Sequence, residues 1–519
     1  MAESDASASA WLSDRAAGWR LGALIAYAAV RSVVAAAARP FWYDEMCTWI
    51  MVHQPSVRAI WSALEHAADG QGPAFYVVER AASGLLRNQE IALRLPSIFS
   101  YCFVTLCIFV FVRRRAGSTY ALICAAVPLA TVLFWTYAIE ARPYGLVTAC
   151  VAGALVCYQR ASSWRWALVM GLSLAFAETL NYYAVFALIP IGVAEAARWL
   201  RARELRMGVW LALLGGAAPL AIFWGLLSRF REYMGPHFWA QPSLVGLAEF
   251  YGVFFETGAR WGVAVAAALA VGVVAAARRL TTGKGRLAAT SASNFDNYFA
   301  EQVLTLALLG LPIANYMATK MAHGGFTVRY VLFVVLGVPL AIAWILPSLQ
   351  RRTVALLVTF LVFGVGVREG WFWMWQIAHP ADVKANAVSV ERLVATAGHG
   401  DVPVVISDGI GFLPLAHYAD TEWQGRFVCV VDPEQAVKFA GFDTVDKNLM
   451  AMRTIAPIRV YDFAAFAAEH PTYLLYSYSS GDTYDWWPTR LAHDGYSLEV
   501  AAADGMRKVY LVSPGKNSR

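Results

Sequence analysis

The sequence is short of charge: 15% of its 519 residues are Asp, Glu, Lys or Arg, against about 25% in soluble domains. That scarcity argues against a disordered chain and against an ordinary cytosolic enzyme. It has no glycine-rich nucleotide-binding motif and no Cys/His spacing suited to zinc. Its 42 Lys+Arg and 36 Asp+Glu leave a net charge of +6. The basic residues are scattered between apolar runs and do not form a nucleic-acid footprint. Of seven cysteines, Cys102, Cys107, Cys124, Cys150 and Cys157 lie in apolar runs and read as small core side chains. Cys47 and Cys429 lie outside such runs; a bridge between them is left open, although nothing in the sequence brings the two together. No internal repeat or low-complexity segment stands out.

What the sequence has in abundance is apolar length. Apolar residues make up 59%, with 20 Trp, and the mean hydropathy is +0.49. A bilayer is crossed by about 20 apolar residues. About eleven runs qualify: 18–38, 95–112, 118–137, 143–159, 164–181, 183–199, 207–228, 261–278, 302–321, 328–347 and 353–371. The first run is not a cleaved signal, because no small-residue cleavage site followed by soluble sequence comes after it. Basic residues at 113–115, 160 and 165, 198–206, 278–286 and 351–352 fall in alternate short loops. The positive-inside rule makes these loops cytoplasmic. The tail 1–17 is then inside, whereas the long segment 39–94, the turn at Glu140, the 229–260 loop, the 322–327 turn and everything after about 372 are outside. Single-chain size and Arg-rich inner loops suit a multi-pass protein of a bacterial inner (plasma) membrane. The stretch 281–295, rich in Thr, Ser and Gly, reads as a flexible cytoplasmic loop.

Beyond residue 380 the apolar runs shorten to strand length, at 403–407, 427–431, 473–477 and 508–512. Helical patterns such as Asn386–Ala397 and Asp462–Glu469 come between them. That alternation predicts a small α/β domain over 380–519, outside the cytoplasm and with a core of its own. The expected architecture is therefore a polytopic α-helical membrane module over 18–371 with a C-terminal extracytoplasmic α/β domain.

Charge set against its preference marks the candidate site. Asp44 and Glu45 follow the first span, among Phe41, Trp42 and Tyr43. A solvated loop beneath an aromatic belt accounts for such a pair, but carboxylates at a hydrocarbon boundary lose hydration and tend to be paired or functional. Glu140, Arg142 and Tyr144 lie at one outer turn, and Arg329 and Tyr330 at the start of the tenth span. Glu140 and Arg142 alone read as a pair or as headgroup contacts, and Arg329 alone as a snorkelling anchor; two arginines on one side suit a phosphate, which Arg grips through two oxygens. Glu178, Asn181 and Tyr182 near the outer end of span five, and Lys320 and His323 after span nine, are further candidates beside headgroup anchoring and structural pairing. Arg31, inside the first span, reads as an interior, structurally paired residue, and the Trp371–Trp375 cluster as an interfacial belt.

These spots, in this order, resemble the GT-C glycosyltransferases, within them the branch of the protein O-mannosyltransferases and the lipid A aminoarabinose transferase (glycosyltransferase family 39-like). The resemblance covers 18–371 and rests on Asp44-Glu45, Asp69-Gly70-Gln71-Gly72-Pro73-Ala74-Phe75-Tyr76, Ile91-Ala92-Leu93-Arg94-Leu95-Pro96-Ser97, Glu140-Ala141-Arg142-Pro143-Tyr144 and Arg329-Tyr330. Gln71 stands where the family has His, Gly72 where it has the first Pro, and Asn181 where His is common.

The resemblance implies transfer of a sugar from a polyprenyl-phosphate donor to a hydroxyl acceptor: a glycolipid, a polysaccharide or a protein. Asp44 is then the general base, with inversion at the anomeric carbon, and Glu45 a supporting carboxylate that positions the acceptor. Arg142 and Arg329 neutralise the departing phosphate, with Lys320 as helper. Glu140 orients Arg142, and Tyr144, Tyr182 and Tyr330 pack around the head group. No cofactor is required, although Asp44, Glu45 and Asp69 leave open a divalent cation. Membrane lipids are expected partners; nucleic acid is not. The competing reading is a transporter or flippase of lipid-linked sugars, for which inverted repeats and broken helices at the midplane are the signature. A third is a membrane-anchored binding protein whose 380–519 domain does the work.

Overall fold

The computed structural model describes residues 14–254, 292–379, 381–400, 402–478 and 483–515. The chain opens with α1 (Asp14–Ala38), followed by a cluster of short helices: α2 (Tyr43–Val52), α3 (Val57–Glu65), α4 (Pro73–Ser83) and α5 (Gln89–Ala92). Then come α6 (Leu95–Ala130), α7 (Val132–Ala138), α8 (Tyr144–Tyr158), α9 (Trp164–Leu180), α10 (Leu188–Ala202), α11 (Met207–Ile222), α12 (Trp224–Met234) and α13 (Leu244–Phe254). After the gap, α14 (Ala292–Ala322), α15 (Gly337–Ile345) and α16 (Arg351–Ala378) complete the helical half. This is a multi-pass membrane protein. Among the described residues, six helical stretches are long and apolar enough to cross a bilayer, and a seventh does so if α11 and α12, bent by 54°, count as one span.

The eleven expected spans therefore map onto the helices with corrections. The runs 95–112 and 118–137 are not joined by a basic loop: helix continues through Arg113–Arg115, and Gly117 alone has non-helical backbone (φ 81°, ψ 173°). Glycine reaches that conformation without steric cost, so a single residue breaks the helix. The 143–159 and 164–181 runs form helices of only 15 and 17 residues, α8 and α9. The runs 183–199 and 328–347 begin with 3-10 turns, Tyr182–Ala187 and Val328–Leu336. The run 261–278 lies outside the described residues, as does most of the 281–295 stretch; from Ala292 onward that stretch is helix, not loop.

The C-terminal part holds α17 (Ala385–Thr396), β1 (Val404–Ile406), α18 (Gly409–Tyr418), α19 (Thr421–Gln424), β2 (Phe427–Val431), α20 (Pro433–Ala440), α21 (Thr444–Met452), β3 (Val460–Asp462), α22 (Phe463–Glu469), β4 (Tyr473–Ser477), α23 (Trp487–His493), β5 (Ser497–Asp504) and β6 (Arg507–Ser513). The sheet order is β3-β2-β1-β4-β6-β5. The first four strands are parallel, with Val404 opposite both Phe427 and Leu474, and the β5–β6 hairpin closes the edge antiparallel to β4. The four expected strands are present; β3 and β5 were not anticipated.

Side chains alternate across each strand. Val405, Val428, Val430 and Leu475 face a small separate core with Phe466, Trp486 and Trp487. Val404, Ile406, Phe427, Cys429 and Leu474 join a core that continues through α18 and α21 into the helical half. The sheet thus contributes one of its faces to the membrane module's own core. All seven cysteines are free, so the Cys47–Cys429 pairing left open by the sequence is not formed.

Candidate functional site at the junction of the two halves

Helix α2 sets the site. Trp42 caps it in extended conformation, and Glu45, three residues on, accepts its N–H at 3.3 Å. Successive helix residues are about 100° apart, so Asp44 and Glu45 face different ways. Glu45 is fully buried and turns inward. It takes Arg94 Nε at 2.8 Å and Nη2 at 2.6 Å, and the Ala141 N–H at 2.8 Å. Arg94 spends its remaining donors on the carbonyls of Ala36, Arg39 and Pro40. Thr48 Oγ1 donates to Ala141 O at 3.0 Å. The 140–142 turn is therefore stitched to α2 through both backbone groups of Ala141.

That stitching delivers Arg142 to Asp44. Arg142 Nη1 donates to Asp69 Oδ2 at 2.9 Å and to the Asp44 carbonyl at 3.2 Å, and its Nε lies 3.9 Å from Asp44 Oδ2. Arg329 arrives from the other end of the helical half, 285 residues later, and donates Nη1 to Asp44 Oδ2 at 2.8 Å. Its guanidinium lies 5.0–5.9 Å from the rings of Trp239, Trp42, Tyr330 and Tyr144, within cation–π range. Nε of both arginines is buried without a hydrogen-bond partner. The carboxylates beside Arg142 hold its guanidinium well above the ordinary range, against the opposing pull of burial.

These groups line a cavity of about 280 Å³. Its charged lining is Asp44 and Asp69 against Arg142, Arg329 and, at the rim, Arg231, which leaves one positive charge in excess. Of the residues expected from the sequence, Asp44, Asp69, Arg142, Tyr144, Asn181, Tyr182, Arg329 and Tyr330 meet here. Four do not line it. Glu45 is committed to Arg94, which makes it a positioning carboxylate. Glu140 does not orient the Arg142 guanidinium: its Oε1 faces Arg39 Nη2 at 3.4 Å, and its Oε2 is buried without a partner. Burial raises the Glu140 carboxyl to about 7, against the pull of Arg39. Glu178 is buried in α9 with Oε1 unpartnered, and Lys320 is exposed beside the Tyr316 hydroxyl at 3.3 Å.

The three positions that depart from the family pattern sit together. Asn181 Nδ2 donates to Gln71 Oε1 at 2.6 Å, and the Gly72 N–H donates to Leu180 O at 3.0 Å. A Cβ at residue 72 would lie 2.1 Å from Thr179 O. Proline has neither the N–H nor the room. One departure accommodates another, and together they clamp the first loop to the end of α9.

Several lining residues gave no signal in the sequence. Phe230, Phe238 and Trp239 come from α12 and the segment after it; Thr444, Val445 and Asn448 come from α21 of the C-terminal domain. Asn448 accepts the Tyr43 hydroxyl at 2.6 Å and donates to Ala68 O at 2.8 Å. No pattern in the local sequence encodes a partner 405 residues away. The three carboxylates left open as a cation set are split: Glu45 is locked to Arg94, while Asp44 and Asp69 face guanidinium groups. Among the described residues no three or more His, Cys, Asp or Glu side chains converge as a metal site.

No protein-family model matches the sequence, and no curated protein does. The fold does have solved counterparts. The structure of ArnT from Cupriavidus metallidurans bound to undecaprenyl phosphate matches at a TM-score of 0.54 with 14% identity, over 96% of this chain and 98% of that one. The apo form of the same protein gives 0.46 over the same shares of the two chains. Helical half, loop helices and C-terminal sheet together thus have the GT-C fold of that ArnT.

Proposed function

We propose that the chain is a membrane glycosyltransferase that takes a sugar from a polyprenyl-phosphate donor and passes it to a hydroxyl acceptor on the extracytoplasmic side of the membrane. One observation carries the reading. A carboxylate, Asp44, shares a cavity with two arginines whose Nε donors are buried and unused, under an excess of one positive charge. Buried donors without partners are costly, and a phosphate oxygen satisfies them. The solved protein sharing this fold carries undecaprenyl phosphate, which supports a lipid-linked donor.

In this reading the donor's phosphodiester competes with Asp44 and Asp69 for the forks of Arg142 and Arg329. The exchange frees Asp44 Oδ2 to face the acceptor hydroxyl. The acceptor oxygen attacks the anomeric carbon, its proton passes to Asp44, and the anomeric carbon–oxygen bond breaks toward the phosphate. A single displacement inverts the anomeric centre. The leaving polyprenyl phosphate gains one negative charge, which the arginines meet with dipoles and charge already in place. Tyr144, Tyr183 and Tyr330 wall the sugar side; the Tyr183 ring packs against Tyr330 at 4.5 Å, tilted by 31°, and its hydroxyl donates to Gly325 O at 2.8 Å. The guanidinium groups supply the positive charge that a divalent cation supplies elsewhere, so no metal step is invoked.

The test uses the full chain in vesicles, with a panel of labelled polyprenyl-phosphate sugars and candidate acceptors. A glycosylated product and free polyprenyl phosphate are expected in equal amounts from one donor. Label that crosses the bilayer without leaving its lipid would instead support the flippase reading and end this one.

A further inference from the structure

A second group of charged side chains lies away from the cavity, between α1 and α16. Arg31 pairs with Glu369 through Nε and is 3% exposed. Tyr27 donates to the same carboxylate at 2.8 Å and accepts from Trp373 Nε1 at 3.0 Å. Arg368 reaches Glu369 Oε1 at 3.1 Å and donates to the carbonyls of Ala130 and Leu129. The sequence expectation that Arg31 is paired holds, but the account does not close. Two guanidinium groups meet one carboxylate. Arg31 Nη1 is buried without a partner, and its guanidinium lies between the Trp135 and Phe372 rings at 4.2 and 4.4 Å.

Arg31, Arg368, Trp135 and Phe372 line a pocket of about 410 Å³ with Trp371 and Trp375, while Glu369 lies behind them. Trp371 is 64% exposed, on a helix whose exposed residues from Leu356 to Ile377 are apolar apart from Thr359. Such a face meets lipid. Arg31 precedes the end of α1 by seven residues, about 10 Å along the axis at 1.5 Å per residue. That end leads directly into α2, so the pocket opens on the cavity's side of the bilayer, about two helical turns below the level of that end. An excess cation facing lipid at that depth is expensive unless an anion meets it.

We propose that this pocket binds the phosphate headgroup of an anionic membrane lipid, with Arg31 Nη1 and Arg368 on the phosphate and the tryptophans against the glycerol and first methylenes. The site is separate from the transfer cavity and holds whether or not the chain transfers sugar. Its function is to seat α16, in which Val354 and Glu369 are the buried residues.

The experiment is native mass spectrometry of the full chain in detergent, titrated with dioleoyl phosphatidylglycerol. Wild type retains one lipid that Arg368→Gln holds about tenfold more weakly, the scale of a lost charge-assisted hydrogen bond. Arg368→Lys, which keeps the charge, restores most of the affinity and so separates charge from a merely structural role. Trp371→Leu, at a position 64% exposed, weakens retention by about threefold. Equal retention by wild type, Arg368→Gln and Trp371→Leu overturns the proposal. So does equal binding of dioleoylglycerol, which has no phosphate. Displacement of the lipid by inorganic phosphate also overturns it, since the site is then one for the free ion.

Discussion

Asp44 and Glu45 are neighbours in sequence, and each meets arginine, yet the two centres are opposites. Around Glu45 every donor and acceptor is used, and neither it nor Arg94 is exposed at all. Around Asp44 the pair with Arg329 is 2.8 Å and that with Arg142 is looser, at 3.9 Å; both arginines keep unused donors and the group opens on a cavity. A saturated buried pair holds backbone in place. An unsaturated one beside a cavity is poised to exchange partners. The helix phase of α2 assigns one carboxylate to each task.

Removing the charge of either residue tests that contrast. Asp44→Asn is expected to lower transfer by about 10²–10⁴-fold, the contribution of a positioned base, with the melting temperature in detergent unchanged. Turnover near wild type with purified donor removes Asp44 from the base's role. Glu45→Gln is expected to do the reverse, costing about 3–5 kcal/mol of stability by stranding Arg94. The readout is folded yield and melting temperature; a variant as stable as wild type makes the saturated pair ornamental. Arg329→Lys keeps the charge but loses the fork. About 10²-fold is expected from transfer, the lower range for one missing transition-state donor, with little change in folding. A kcat that does not move places the phosphate elsewhere.

A smaller effect is expected at the seam between the halves. Asn448→Ala removes the acceptor of the Tyr43 hydroxyl and the donor to Ala68 O, worth about 1–3 kcal/mol where partners stay buried. Because Asn448 also lines the cavity, KM for the acceptor should rise more than kcat falls. Unchanged values for both place the acceptor away from α21.

Much of this was legible beforehand, for specific reasons. Long apolar runs must be helical in lipid, where every backbone group needs an internal partner, so the helical half followed from hydropathy. Asp44, Arg142 and Arg329 could be picked out because charge beside an apolar run is rare enough to notice. The resemblance set Asp44 apart from Glu45, but what holds Glu45 was not legible, because it depends on where Arg94 sits. The clamp of Gln71 and Gly72 on Asn181 and Leu180 read as three unrelated departures until the first loop was seen against α9. The contributions of α12 and α21 were hidden because Phe230, Trp239 and Asn448 are ordinary in their local sequence and acquire their role by long-range packing. The interruption between residues 112 and 118 was expected, but not its form: Arg113–Arg115 stay helical and Gly117 alone makes the break, because basic residues mark a side of the membrane, not a loop.

Glu140 lies between the two extremes and gives the mildest test. One of its carboxylate oxygens has Arg39 at 3.4 Å, and the other is buried with none. Its carboxyl is raised by burial to about 7 from the usual 4.5. Between those values the folded chain binds more protons at this site than the unfolded chain, so stability falls as pH rises. The contribution is fully present below about 4.5 and gone once pH passes about 7. Melting temperature followed from pH 5 to pH 8 should therefore drift down by a few degrees in the wild type, and the drift should flatten in Glu140→Gln, which stays neutral throughout. Parallel curves for the two proteins would mean that Glu140 is as well satisfied as Glu45, and that an unpartnered oxygen in this turn carries no cost.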